Sequence, residues 1–116
     1  MSSETIRLLR FEQLSPGSVT HIQIAGRDVA VFRVGDQVFA TDDVCSHAEA
    51  SLSDEGEFVA EEFKIVCGWH LGSFDVRTGQ VVDSPCTKPI GTYRVWVDAG
   101  DVCTDSLRRE ADANEP

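Results

Sequence analysis

Cys45-Ser46-His47 and Cys67-Gly68-Trp69-His70 are the two short stretches that organise this chain. Each places one thiol and one imidazole within a single tight loop. The interval from His47 to Cys67 is long enough for a hairpin that turns the second loop to face the first, so all four side chains can share one pocket. Zinc fingers also combine two Cys with two His, but their spacing pairs Cys with Cys and His with His. Here each pair is mixed. Mixed pairs suit a binuclear iron–sulfur cluster in which Cys45 and Cys67 hold one iron and His47 and His70 the other. Zinc and an unmetallated core are the competing readings, and a red-brown colour of the pure protein separates them from iron.

Charge arithmetic shows why two His ligands matter. Two ferric ions, two sulfides and two thiolates sum to zero, whereas the same core held by four thiolates carries two negative charges. An added electron therefore meets less repulsion. Clusters with two His ligands span roughly −150 to +300 mV, against about −400 mV for plant-type ferredoxins.

A chain of 116 residues reads as one domain, close to the size at which a bound metal helps to hold the fold. Four Cys in so short a chain could form a disulfide scaffold, yet two are claimed by the cluster and the first twenty residues lack an apolar signal core. The expectation is a reduced, cytoplasmic, monomeric protein. No apolar run approaches the roughly 18 residues of a membrane span. A formal charge of −10 argues against nucleic acid, because little here could neutralise a run of phosphates. Residues 42–62 carry Asp42, Asp43, Glu49, Asp54, Glu55, Glu57, Glu61 and Glu62 with no Lys or Arg. Such a stretch is either a solvated face or a docking surface for a basic partner.

Short apolar alternations separated by Gly, Pro and Asp run through the rest of the chain, and no segment sustains a helical period. The predicted class is all-β, an antiparallel sandwich or barrel. Strands are expected over residues 6–11, 19–24, 29–34, 38–41, 92–98 and 102–104, with Val29, Val31, Val38 and Ala40 facing one core. Residues 52–56 read as a loop. Phe58, Phe63, Ile65 and Val66 lead into Cys67, and a hairpin around Arg77-Thr78-Gly79 backs the second ligand loop. His21 falls outside both pairs and reads as a rim histidine. Trp69 is expected to pack over its loop. Cys86 reads as a small buried thiol rather than a fifth ligand, and Cys103 as strand filler. The domain is drawn over residues 1–105, with a cluster-binding part at about 43–86 and a charged tail at 106–116.

These motifs together resemble the Rieske-type ferredoxins of bacterial aromatic-ring-hydroxylating dioxygenase systems. The resemblance is carried by Cys45-Ser46-His47, Ser51-Leu52-Ser53-Asp54, Cys67 to Phe74, Arg77-Thr78-Gly79 and Pro85-Cys86. It implies a Rieske-type β-sandwich with a small cluster-binding subdomain, one [2Fe-2S] cluster, and ligands Cys45, His47, Cys67 and His70. In that family the His-bound iron lies nearer solvent. The implied role is a one-electron shuttle from an NADH-dependent flavin reductase to a terminal oxygenase, with no catalytic residues of its own. Ala50 and Trp69 stand where high-potential relatives carry a bracing disulfide, and Phe74 stands where they offer a Tyr hydroxyl, so the potential should lie low in the Rieske range. The alternative is the small Rieske-like subunit of an assimilatory nitrite reductase. A regulatory redox sensor is a third class, for which the chain offers no effector or DNA-binding element.

Overall fold

The computed structural model describes residues 5–24, 26–44, 51–68, 72–83 and 89–109. Among the described residues ten strands form two antiparallel sheets. The larger contains β1 (Thr5–Arg10), β2 (Val19–Ile24), β3 (Arg27–Val34), β4 (Gln37–Asp42), β9 (Thr92–Asp98) and β10 (Asp101–Arg109), in the order β1-β10-β9-β4-β3-β2. The smaller contains β5 (Glu57–Val59), β6 (Lys64–Val66), β7 (Ser73–Asp75) and β8 (Val81–Asp83), in that order. Tight turns explain the antiparallel pairing. Between β3 and β4 only Gly35 and Asp36 intervene, and Gly35 takes a φ of 60°, which a two-residue hairpin turn of right-handed twist demands.

The entire small sheet is an excursion from the large one. It leaves at Asp42 and returns at Thr92, yet β4 and β9 are direct neighbours, pairing Ala40 with Tyr93 and Thr41 with Thr92. At this junction the Asp42 N–H donates to the Gly91 carbonyl at 2.9 Å, and the Gly91 N–H donates to Asp42 Oδ2 at 3.0 Å.

β3 departs from the expected single buried face. Val29, Ala30, Val31 and Phe32 are all fully buried. Val29 and Val31 join Leu14, Ala40, Tyr93 and Val102 in one core, while Ala30 and Phe32 face Leu52, Ile65, Cys67, Phe74, Val76 and Ile90 in a second. The small sheet covers the face that alternation would have left to water. Phe32 meets Phe58 with ring centroids 4.8 Å apart, and Phe39 meets Phe63 edge-on at 5.9 Å. Two local features also differ from expectation. Residues 52–56 include a short helix, α1 (Leu52–Glu55), and β10 runs to Arg109, into the stretch read as tail. Residues 110–116 lie outside the described part.

Tyr93 fastens β9 to β4. Its hydroxyl donates to Asp42 Oδ1 at 2.7 Å, and the residue is only 6% exposed. Burial, reinforced by the Asp42 carboxylate, pushes the phenol up to about 12, with Arg27 opposing. Folding therefore favours the neutral phenol. The stability this contributes is whole below about pH 10, where the unfolded phenol titrates, and is lost as pH rises toward 12, by about 1.4 kcal/mol per pH unit. Tyr93 is the chain's single tyrosine, so tyrosinate absorbance reports this site alone. Little ionisation should appear until the fold opens in that window, and Tyr93→Phe should flatten the alkaline loss. A phenol titrating near pH 10 in folded protein would contradict this account.

Candidate metal centre

Cys67 follows directly on β6 and is fully buried in the core shared by the two sheets. Alternation along Lys64-Ile65-Val66 turns Ile65 inward, so the second residue on, Cys67, points to the same side. Its N–H donates to the Gly72 carbonyl at 2.7 Å, closing the second ligand loop at its base. The first loop is closed in the same manner. Val44 and Ser51 form an isolated antiparallel bridge, and the Leu52 N–H donates to the Asp43 carbonyl at 2.6 Å. Cys45, His47, His70, Trp69 and Cys86 lie outside the described residues. Of the four expected ligands, Cys67 alone is placed.

What the structure does show is how the two loop bases come together. α1 leaves the first loop with Ser51 as its cap, the Ser51 hydroxyl accepting from the Asp54 N–H at 3.2 Å. The helix ends against the start of the second loop. A Cβ built on Gly68 would fall well inside contact distance of the Glu55 carbonyl oxygen, so only glycine lets these two backbone segments meet. Gly56 is confined likewise, a Cβ there lying 2.6 Å from the Leu52 and Val66 carbonyl oxygens. The bases of the two Cys/His loops are thus tightly joined.

The β7–β8 hairpin stands behind the second loop. Asp75 holds Arg77 through paired bonds of 3.0 and 2.8 Å, and also accepts from the Arg77 N–H at 2.8 Å. These bonds keep the Asp75 carboxyl below its usual range. Gly79, with φ of 79°, presses on the Ile90 backbone where a side chain would collide. Asp83 is lowered by a hydrogen bond from Ser73 and by Lys64. Phe74 is fully buried and offers no hydroxyl.

Apart from Glu49, which lies outside the described residues, the acidic run divides in two. Asp54, Glu55, Glu57, Glu61 and Glu62 are exposed, while Asp43 is buried at 3% exposure and Asp42 is engaged with Tyr93. His21 is an exposed rim residue. Its Nε2 lies 2.9 Å from Asp28 Oδ1, at the side of a cavity of about 570 Å³ that also borders Asp43, Val44 and Ser51. Gly68 and Asp43 were not legible as functional positions from sequence. Gly68 adjoins an expected ligand and falls within a motif that carries the resemblance, but neither points to its close contact with Glu55, and Asp43 was hidden among charges.

Comparison with known proteins bears on the same segments. Residues 4–94 match the Rieske [2Fe-2S] domain. The chain belongs to that family. A ferredoxin component of the p-cumate 2,3-dioxygenase system of Pseudomonas putida is 34% identical, the match spanning 89% of this chain and 86% of the relative. The ferredoxin of carbazole 1,9a-dioxygenase from Nocardioides aromaticivorans IC177 is 43% identical, with a TM-score of 0.83 over 88% of this chain and 97% of its own. A further structure, described as a complex of reduced oxygenase and oxidised ferredoxin in carbazole 1,9a-dioxygenase, matches at 36% identity and TM-score 0.82, over 90% and 94% of the two chains.

As a Rieske protein it carries one [2Fe-2S] cluster and serves as an electron carrier of ferredoxin type. The described residues fit that group. One thiol is buried at the end of a strand, and the second loop it opens is pinned at its base against the base of the other. When bound, the cluster takes up and gives back one electron. The protein's part is to hold its ligands rigidly and to keep water from the Cys67 side.

Proposed function

We propose that Cys45, His47, Cys67 and His70 are the cluster ligands, and that the protein accepts single electrons from an NADH-oxidising flavin reductase and delivers them to a terminal aromatic-ring-hydroxylating oxygenase. The observation that carries this reading is the match over nearly the whole chain to ferredoxin components, together with loop bases joined at Gly68 and Glu55. The oxygenase partner is supported by the related ferredoxin described in complex with its oxygenase. Among the described residues no helix is long and apolar enough to cross a membrane; a cytoplasmic, monomeric shuttle is part of the proposal. The nitrite reductase alternative is not favoured, since the higher-identity relatives above are dioxygenase ferredoxins.

Pulsed EPR of the reduced protein tests the ligand set, and reduction by NADH through a dioxygenase-system reductase tests the role. Two strongly coupled nitrogens are expected, followed by reoxidation when oxygenase and aromatic substrate are added. A spectrum without directly bound nitrogen would overturn the ligands. Failure to turn over with any such oxygenase, while the cluster is intact, would overturn the role alone.

A further inference from the structure

The buried Asp43 carboxylate stands two residues before the first expected ligand and accepts a hydrogen bond at each oxygen. Its Oδ2 accepts from the Ser51 hydroxyl at 2.6 Å and its Oδ1 from the Ser53 N–H at 2.9 Å. Its own N–H donates to the Asp28 carbonyl of β3 at 3.1 Å, and its carbonyl accepts from the Leu52 N–H at 2.6 Å. One residue therefore ties the entry of the 45–50 loop to its exit and both to the large sheet.

The consequence reaches the second loop. Because the Ser51 hydroxyl spends its proton on Asp43, its lone pairs are turned to the Asp54 N–H, which caps α1. The far end of α1 abuts Gly68, the neighbour of Cys67. A continuous line of short contacts thus runs from Asp43 through Ser51 and α1 to the second ligand pair. At its origin the line is shielded from water, since Asp43 is 3% exposed, while Asp54 and Glu55 further along it are exposed.

We propose that Asp43 is a positioning residue for the cluster: its carboxylate sets the separation of the two ligand loops, and so governs how tightly the metal centre is held and how it is distorted. Its described partners are Ser51, Ser53, Asp28 and Leu52, none of them an expected ligand. The inference rests on the reading of Cys45 and His47 as ligands, which frames its test.

The experiment follows loss of visible absorbance from the oxidised holoprotein in excess EDTA, with the EPR spectrum of the reduced protein as a second readout. Asp43→Ala removes both acceptors and leaves the Ser51 and Ser53 donors without their partner, so the cluster should be lost on the order of tenfold faster than in the parent. Asp43→Asn keeps one acceptor and should fall between. Ser51→Ala, which breaks the relay but spares the carboxylate, should also accelerate loss. If Asp43→Ala yields no holoprotein, these two variants carry the comparison.

Thr104→Val supplies the control. Thr104 is buried, donates to the Arg94 carbonyl, and lies in β10 of the large sheet. It should weaken the fold without changing the g-values or hastening cluster loss, whereas the Asp43 and Ser51 variants should shift the g-values as well. Asp43 variants that bleach no faster than Thr104→Val, with parental g-values, would overturn the proposal. His47→Ala separates the two layers. A colourless His47→Ala protein beside a parent-like Asp43→Ala protein would reject positioning and leave the ligands standing, whereas a parental spectrum in His47→Ala would reject the ligand reading itself.

Discussion

Replacing His70 by Cys is expected to lower the reduction potential by on the order of 100 mV or more, or to cost the protein its cluster. A neutral imidazole becomes an anionic thiolate, so the centre gains one negative charge in both oxidation states and the added electron meets it at close range. Ranges for two-His and all-Cys clusters lie several hundred millivolts apart, and one exchange should cover a substantial part of that gap. His47→Cys should act likewise. Direct electrochemistry and the visible spectrum read the outcome. Cys86→Ser belongs in the same series and should keep both parental, since the proposed set already supplies four ligands. A parental potential in either His variant would remove that residue from the ligand set.

Gly68→Ala should be among the most damaging single methyls in the described chain, and the one that acts on both ligand loops. The added carbon would overlap the Glu55 carbonyl, and both sides of the contact are backbone, so relief requires α1 and the Cys67 segment to part. Overpacking of this kind costs about 1–3 kcal/mol or more. Here the parting also separates the two ligand loops. Iron content per chain should fall to a small fraction of the parent, with the melting temperature down by about 10 °C. Gly35→Ala is the proper comparison, because it forces a side chain into positive φ, at 60°, and so costs stability, but meets nothing within 4 Å. It should lose stability and keep its iron. Equal iron in the two variants would show that the Gly68 contact does not govern the centre.

The strands of the large sheet were readable because each alternates and is bounded by turn residues, as β2, β3 and β4 show. The second burial of β3 was not. Ala30 and Phe32 are interior only because the small sheet lies over them, and that packing joins residues far apart in sequence. α1 has four residues, too few to display a helical period. β10 extends past Thr104 through Asp105 and Arg109 because it is paired with β9, with Arg109 opposite Tyr93, although its composition there reads as a polar tail. At the site, the ligand types and spacing were plain in the chain. Their supports were not: Asp43 looks like one more surface acid until its two acceptor bonds are seen.

The junction of β4 and β9 bears on how the metal-carrying segment can vary. Asp42 and Gly91 are already stitched by two hydrogen bonds, so the two ends of the intervening chain are held together whatever lies between them. In polymer terms the segment is a tethered loop, and its closure entropy depends only logarithmically on its length. Doubling such a loop costs about 0.6 kcal/mol. The scaffold strands keep their register when residues are added to or removed from the surface turns of the excursion. The Asp43–Ser51 and Glu55–Gly68 contacts carry no such tolerance, because each fixes the distance between two particular backbone segments.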